Sequence, residues 1–193
     1  MQHKGTKTIE TKRLILRKFN KLDGVYMFKN WAGDSNVCKF LSWPPYENVG
    51  AVQNKVHEWV ESYEDASFYN WAIVLKEMNE VIGSIGVVES TDNNMHCEVG
   101  YCIGKAFWGQ GIMTEAHCAV MEFLFYEVGY HRIQARHDVQ NRASGIVMQK
   151  SGMQFEGIMR DANIRRDGSF CDYAVYARLS TDAVMNNERT LYD

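Results

Sequence analysis

Trp108-Gly109-Gln110-Gly111-Ile112-Met113-Thr114-Glu115-Ala116 is the stretch whose reading decides the fold of this chain. It follows a strand-like run, Glu98–Ile103 (E-V-G-Y-C-I), and opens a helical run, Thr114–Val128. Two glycines just before a helix let other groups approach the backbone closely. The first N–H groups of such a helix have no intrahelical partner and sit at the positive end of its dipole. That geometry suits a phosphate or pyrophosphate. The turn is not a Walker A loop, because it lacks a Gly-Lys-Ser/Thr ending. Nor is it a dinucleotide fingerprint, because Thr114 stands where the third glycine would be.

Working outward, the periodicities predict mixed α/β structure. Lys12–Phe19 reads as a first strand, and a helix starts at Asp23, or at Asn20 before it, and runs to about Trp31. Pro44 and Pro45 forbid helix in the connection that follows. Val49, Val52, Val56, Trp59, Val60 and Tyr63 recur at helical spacing within Asn48–Glu64. Tyr69–Lys76, Val81–Glu89 and Met95–Gly104 read as three antiparallel strands. The first two do not alternate cleanly, which predicts a sheet covered on both faces. Gly129 suits the residue just past the helix that began at Thr114. A strand at Arg132–His137, a helix at Asn141–Ser151 and a hairpin of Phe155–Ile164 with Phe170–Leu179 complete the expectation. Residues 9–181 are expected to form a single domain, with 1–8 and 182–193 as flexible ends.

The glycine turn resembles the acyl-CoA pyrophosphate loop of the Gcn5-related N-acetyltransferases (GNAT). More narrowly, it is similar to the branch that includes the ribosomal-protein N-terminal acetyltransferases. Thr11–Arg17 (T-K-R-L-I-L-R) resembles the first strand of that branch, and Glu98–Tyr101 (E-V-G-Y) its fourth. Asn141–Ser144 (N-R-A-S) resembles the start of its next CoA-contacting helix, and Lys150–Met153 (K-S-G-M) the K-x-G-F turn after it. The resemblance implies a mixed α+β acyl-CoA N-acyltransferase fold: a central, mostly antiparallel sheet flanked by helices. It also implies acetyl-CoA as acyl donor, a primary amine as acceptor, and no metal.

Such a transfer needs a grip on the CoA pyrophosphate, a donor toward the thioester oxygen, a neutral amine and a proton for the departing sulfur. The resemblance assigns the pyrophosphate to Trp108, Gly109, Gln110, Gly111, Ile112, Met113 and Thr114, and the thioester oxygen to a backbone N–H at Cys102 or Ile103. It gives Asn141 the pantetheine amides and Ser144 the departing sulfur; helix capping by Asn141 is the plainer alternative. The tyrosine that many members place two residues before the lysine of K-x-G-F is Met148 here, so Ser144, water or another tyrosine must serve as acid. Glu98 is the candidate base, acting through water, or else a salt-bridge partner. An α-amine needs little help from a base, since its pKa is about 7.7–8.0 against about 10.4 for lysine. Trp31, Phe40, Trp43 and Tyr46 are the candidate walls of the acceptor pocket.

Composition sets the outer limits. The 193 residues carry a net charge of −3, which gives no general pull toward nucleic acid or anionic membrane. Five cysteines without a Cys-x-x-Cys read as reduced thiols of a cytoplasmic protein. The first reading is therefore an N-acetyltransferase acting by direct attack, most simply on a protein or peptide N-terminal α-amine. A small-molecule acceptor (polyamine, aminoglycoside or amino-acid-like) and a non-catalytic acyl-CoA-binding module stay open. So does a homodimer.

Overall fold

The computed structural model describes residues 1–182. Among them, eight strands form one sheet: β1 Ile9–Glu10, β2 Leu14–Arg17, β3 Asn70–Leu75, β4 Glu80–Thr91, β5 His96–Ile103, β6 Arg132–Asp138, β7 Gln154–Ile164 and β8 Phe170–Leu179. The helices are α1 Asp23–Met27, α2 Val49–Ser62, α3 Ile112–Glu122 and α4 Arg142–Lys150. The strand order is β1-β2-β3-β4-β5-β6-β8-β7. Every neighbouring pair is antiparallel except β5 and β6, which are parallel.

The sheet is covered on both faces. Trp71, Ile73 and Leu75 of β3 join a core built with Ile112, Ala116, Val120 and Leu124 of the α3 segment and Met148 of α4. Ala72 and Val74, their neighbours on the opposite face, join a second core with Met27, Trp31, Val52 and Val56. Strand alternation sends successive side chains to opposite sides, so a strand buried on both sides loses its polar positions. Each fully buried large apolar side chain contributes about 1.5–3 kcal/mol.

Local chemistry sets the helix ends. Asn48 caps α2 by accepting the Ala51 N–H at 3.0 Å. The last turn of the α3 segment widens over Phe123–Val128, and Gly129 follows with φ +94°. The N–H groups of both Gly129 and Tyr130 reach the Leu124 carbonyl at 3.1 Å. α3 begins at Ile112, two residues before the expected start. Ile112 and Met113 are drawn into the core, and their burial winds the turn directly into helix.

The first eight residues, expected to fray, are tied to the sheet. Gln2 N–H donates to the Val128 carbonyl at 2.8 Å and Gly5 N–H to the Ala66 carbonyl at 2.9 Å. Buried Thr6 donates its hydroxyl to the Phe68 carbonyl and accepts the Asn70 N–H. Of the other expected end, residues 183–193 lie outside the described residues. No helix among those described is long and apolar enough to cross a membrane.

Candidate active site

The parallel pair β5–β6 is hydrogen-bonded only from His96 with Arg132 to Glu98 with Gln134. Past Glu98 the two strands part, and a cleft of ≈ 450 Å³ is lined by Val99–Cys102 of β5, Arg136–Asp138 at the end of β6, and Asn141 and Ser144 of the α4 start. The sequence could not place this divergence, because nothing in either strand breaks its own pattern.

The parting leaves one edge of β5 with free backbone groups, and hydrogen bonds beyond the strand identify which. Gly104 N–H donates to the Ile82 carbonyl on the β4 side. The Trp108 indole N–H donates to the Ile103 carbonyl on the other side, at 2.9 Å. With a period of two, the backbones of Val99, Tyr101 and Ile103 face the opening, and those of Gly100 and Cys102 face β4. Of the two expected donors to the thioester, Ile103 therefore keeps its N–H toward the opening and Cys102 does not. The Cys102 side chain does line the cleft, with its Sγ 3.3 Å from the Ser84 hydroxyl. Burial pushes this thiol up to about 11. Gly100 marks a close approach: a β4 bulge between Val87 and Glu89 brings Val88 Cγ1 to 2.8 Å from where a Cβ would stand.

Glu98 sits at the vertex, nearly buried. One carboxylate oxygen lies 2.9 Å from Arg136 Nε, and the other accepts the Gln134 amide at 3.0 Å. Burial raises its pKa, outweighing the opposing pull of Arg136 and Gln134. Gln134 and Arg136 share a face of β6 because they are two residues apart. The sequence reading had the strand R-I-Q-A-R-H but named neither of them. The missing signal was the register with β5.

Asn141 and Ser144 stand on the opposite rim. Asn141 precedes α4, yet its side chain makes no capping hydrogen bond; it lines the cleft instead. Ser144 donates its hydroxyl to the Tyr101 oxygen at 3.0 Å, and Tyr101 donates to the Ser144 carbonyl at 2.9 Å. Burial pushes the Tyr101 phenol well above its usual range. Tyr101, a tyrosine of β5 and not of α4, is thus hydrogen-bonded to Ser144 in both directions. The Tyr101 ring meets His117 edge-on at 5.2 Å. Buried His117 pairs with the Ser151 hydroxyl at 2.7 Å, and burial depresses its pKa to about 3.

The glycine turn has the expected backbone. Gly109 and Gly111 adopt φ +74° and +71°, values that disfavour any side chain. No atom lies within 4 Å of where a Gly109 Cβ would be. The first intrahelical bond of α3 runs from Glu115 N–H to the Gly111 carbonyl, so the N–H groups of Ile112, Met113 and Thr114 precede it. The cradle is expected to act through its backbone N–H groups, and the side chains of its residues mostly do other work. Trp108 closes the turn onto β5, the Gln110 amide donates to the Ala106 carbonyl, and Ile112 and Met113 pack inward. Arg13, which the sequence reading did not single out, holds the loop. Its N–H groups reach the Gln110 carbonyl at 2.9 Å and the Glu115 carboxylate at 2.6 Å. Burial pushes the Glu115 pKa up, but hydrogen bonds from Thr11 and Arg13 outweigh it and the value is lowered.

The acceptor walls divide. Phe40 and Trp43 line the cleft, joined by Trp59, Phe68 and Tyr173. Trp31 does not, because it is wholly buried in the second core. Tyr46 packs 5.5 Å from Trp43, centroid to centroid, and supports the wall from behind.

The acetyltransferase (GNAT) domain family matches residues 13–154. A probable N-acetyltransferase, YjcK, of Bacillus subtilis is 31% identical over 138 residues, covering 71% of this chain and 76% of its own. The [ribosomal protein uS5]-alanine N-acetyltransferase of Escherichia coli is 24% identical over 180 residues, covering 90% and 91%. A ribosomal L7/L12 alpha-N-protein acetyltransferase, solved in complex with coenzyme A, superposes with a TM-score of 0.79 at 22% identity over 90% of this chain and 98% of its own. A glycine turn that opens α3, a cleft where β5 leaves β6 and a family match over most of the sheet agree, and the chain belongs to the Gcn5-related N-acetyltransferases.

Proposed function

We propose that this N-acetyltransferase moves the acetyl group of acetyl-CoA directly onto the N-terminal α-amine of a protein or peptide. The observation that carries the proposal is the pairing of opposed groups across the opening: Glu98 at the vertex, Asn141 and Ser144 on the far rim. The chain fits the donor. Two left-handed glycines leave open backbone before α3, Arg13 braces the loop at the Gln110 carbonyl, and the Asn141 amide is not spent on capping.

Acetyl-CoA supplies the activated acetyl group. The Gly109–Thr114 backbone receives the pyrophosphate, and the Ile103 N–H donates to the thioester oxygen, where negative charge develops. Glu98 takes the amine proton through water as the nitrogen bonds to the carbonyl carbon. Ser144 releases its hydrogen bond to Tyr101 and gives its proton to the departing sulfur as the carbon–sulfur bond breaks; the proton taken by Glu98 then returns to Ser144 through water, which resets both groups. Burial keeps the Cys102 thiol protonated, which supports direct attack over an acetyl-cysteine.

A polyamine or aminoglycoside fits less well. The charged residues lining the cleft are Glu98, Arg136 and Asp138. Glu98 is paired with Arg136, and Asp138 is held by Arg165 at 2.7 and 3.0 Å. Among the described residues that line the cleft, no carboxylate is left over for a second cationic group. The homologous enzyme named for an alanine of ribosomal protein uS5, a residue with no side-chain amine, supports the same choice. Thiol release with a panel of peptides, lysine derivatives and polyamines tests it. Peptide α-amines should be the better acceptors, and faster turnover of polyamines would reverse the assignment.

A further inference from the structure

We propose that Arg136 binds the carbonyl next to the reacting amine, so that the cleft recognises an α-amino acyl unit and not an amine alone. The inference rests on the acetyltransferase reading and concerns the acceptor side of the same cleft.

The Arg136 guanidinium is fixed from two directions. Its Nε lies 2.9 Å from a Glu98 oxygen, and its Cζ sits over the Tyr173 ring, 5.6 Å from the centroid. Tyr173 is in turn held by the Asn163 amide on its hydroxyl. Among the described residues, the two terminal nitrogens of Arg136 make no hydrogen bond, and the residue lines the cleft. A guanidinium presents five N–H donors in a rigid fork, and it engages carbonyl and carboxylate oxygens through its terminal pair. An amine presented to Glu98 therefore has an unspent pair of donors one residue-length away. A peptide N-terminus places its first carbonyl there, and a free amino acid places its carboxylate there. A simple alkylamine places nothing. The aromatic wall of Phe40, Trp43 and Trp59 offers the first side chain an apolar surface.

The test is calorimetric binding to protein saturated with CoA, which does not depend on turnover. Three ligands are compared: an alanine-initiated tripeptide amide, free alanine, and isopropylamine, which keeps the amine and lacks the carbonyl. The carbonyl-bearing ligand should bind about 10- to 100-fold more tightly than isopropylamine, the range of one hydrogen bond to a charged group. Preference confined to the tripeptide identifies a peptide N-terminus; preference confined to alanine identifies a free amino acid. Arg136→Lys keeps the charge beside Glu98 but loses the fork, and Arg136→Met loses both. Each should bring the ratio below about threefold, with acetyl-CoA affinity retained. A role limited to holding Glu98 would weaken all three ligands alike and leave the ratio intact. Equal binding of all three by the unaltered protein, or a ratio unmoved in both variants, overturns the proposal. Thiol release from acetyl-CoA in parallel samples tests the transferase reading separately: its absence beside a preserved, Arg136-dependent ratio would count against transfer to an α-amine and not against Arg136.

Discussion

At the scale of single residues, the account turns on two protonation states. Glu98 must be ionised to take a proton, yet burial raises its pKa. A carboxylate whose folded pKa is raised contributes stability below its unfolded pKa and loses it as pH rises through the folded value. Activity through Glu98 should gain over the same rise. Glu98→Gln should therefore lower kcat/KM by about 10²-fold near neutrality, with a loss that shrinks at higher pH, where more acceptor amine is already neutral. It should not lower the melting temperature at neutral pH. A pH-independent loss with a lower melting temperature would make Glu98 a structural partner. Ser144→Ala should cut kcat by a similar factor and leave acetyl-CoA affinity close to its original value. Tyr101→Phe removes the group that orients Ser144, so the double variant should be little worse than Ser144→Ala alone. Additive losses in the cycle would mean that Tyr101 acts independently.

Elements set where these residues stand. The glycine turn and α3 act as one unit, because Arg13 ties the Gln110 carbonyl to Glu115. Gly111→Asp puts a negative charge and a strained left-handed residue into the anion cradle. Acetyl-CoA at a hundredfold excess over its dissociation constant should stabilise the unaltered protein by about 2.7 kcal/mol. Calorimetric melting of Gly111→Asp should show none of that gain, and an undiminished shift in the folded variant would remove the cradle from the account.

This turn was legible in the sequence because glycine spacing before an amphipathic run is a local signal. Phe40 and Trp43 do line the cleft, whereas Trp31 is wholly buried in the second core: an aromatic on a short helix gives no sign of which face the sheet will cover. Arg136 and Gln134 were invisible for a different reason. Their meeting with Glu98 depends on a parallel register between strands more than 30 residues apart in the chain.

At the scale of the whole molecule, the described residues form one sheet with a core on each face. The non-alternating apolar runs of β3 and β4 foretold both cores, and the ordered motifs foretold the fold. The tied N-terminus was not foretold, since Thr6 joins the sheet through hydrogen bonds and carries no apolar pattern. Acid should loosen this assembly where α3 meets the turn between β1 and β2. Glu115 has a lowered pKa, so its contribution is present above its ordinary value of 4.5 and is lost as pH falls through the lowered one. Thr11→Val removes one of the hydrogen bonds responsible, and its melting temperature should approach that of the unaltered protein as Glu115 becomes protonated. A difference that stays constant from pH 7 to about pH 3 would assign the effect of Thr11 to packing.

The central claim is that this fold acetylates α-amines by direct transfer. Its most direct test is mass spectrometry of a peptide bearing both a free N-terminus and an internal lysine, after incubation with the protein and acetyl-CoA. The account predicts one acetyl group on the N-terminal nitrogen, none on the lysine and no acetyl adduct on the protein. Acetylation of the lysine alone, or an adduct on Cys102 that then passes to the peptide, would contradict it.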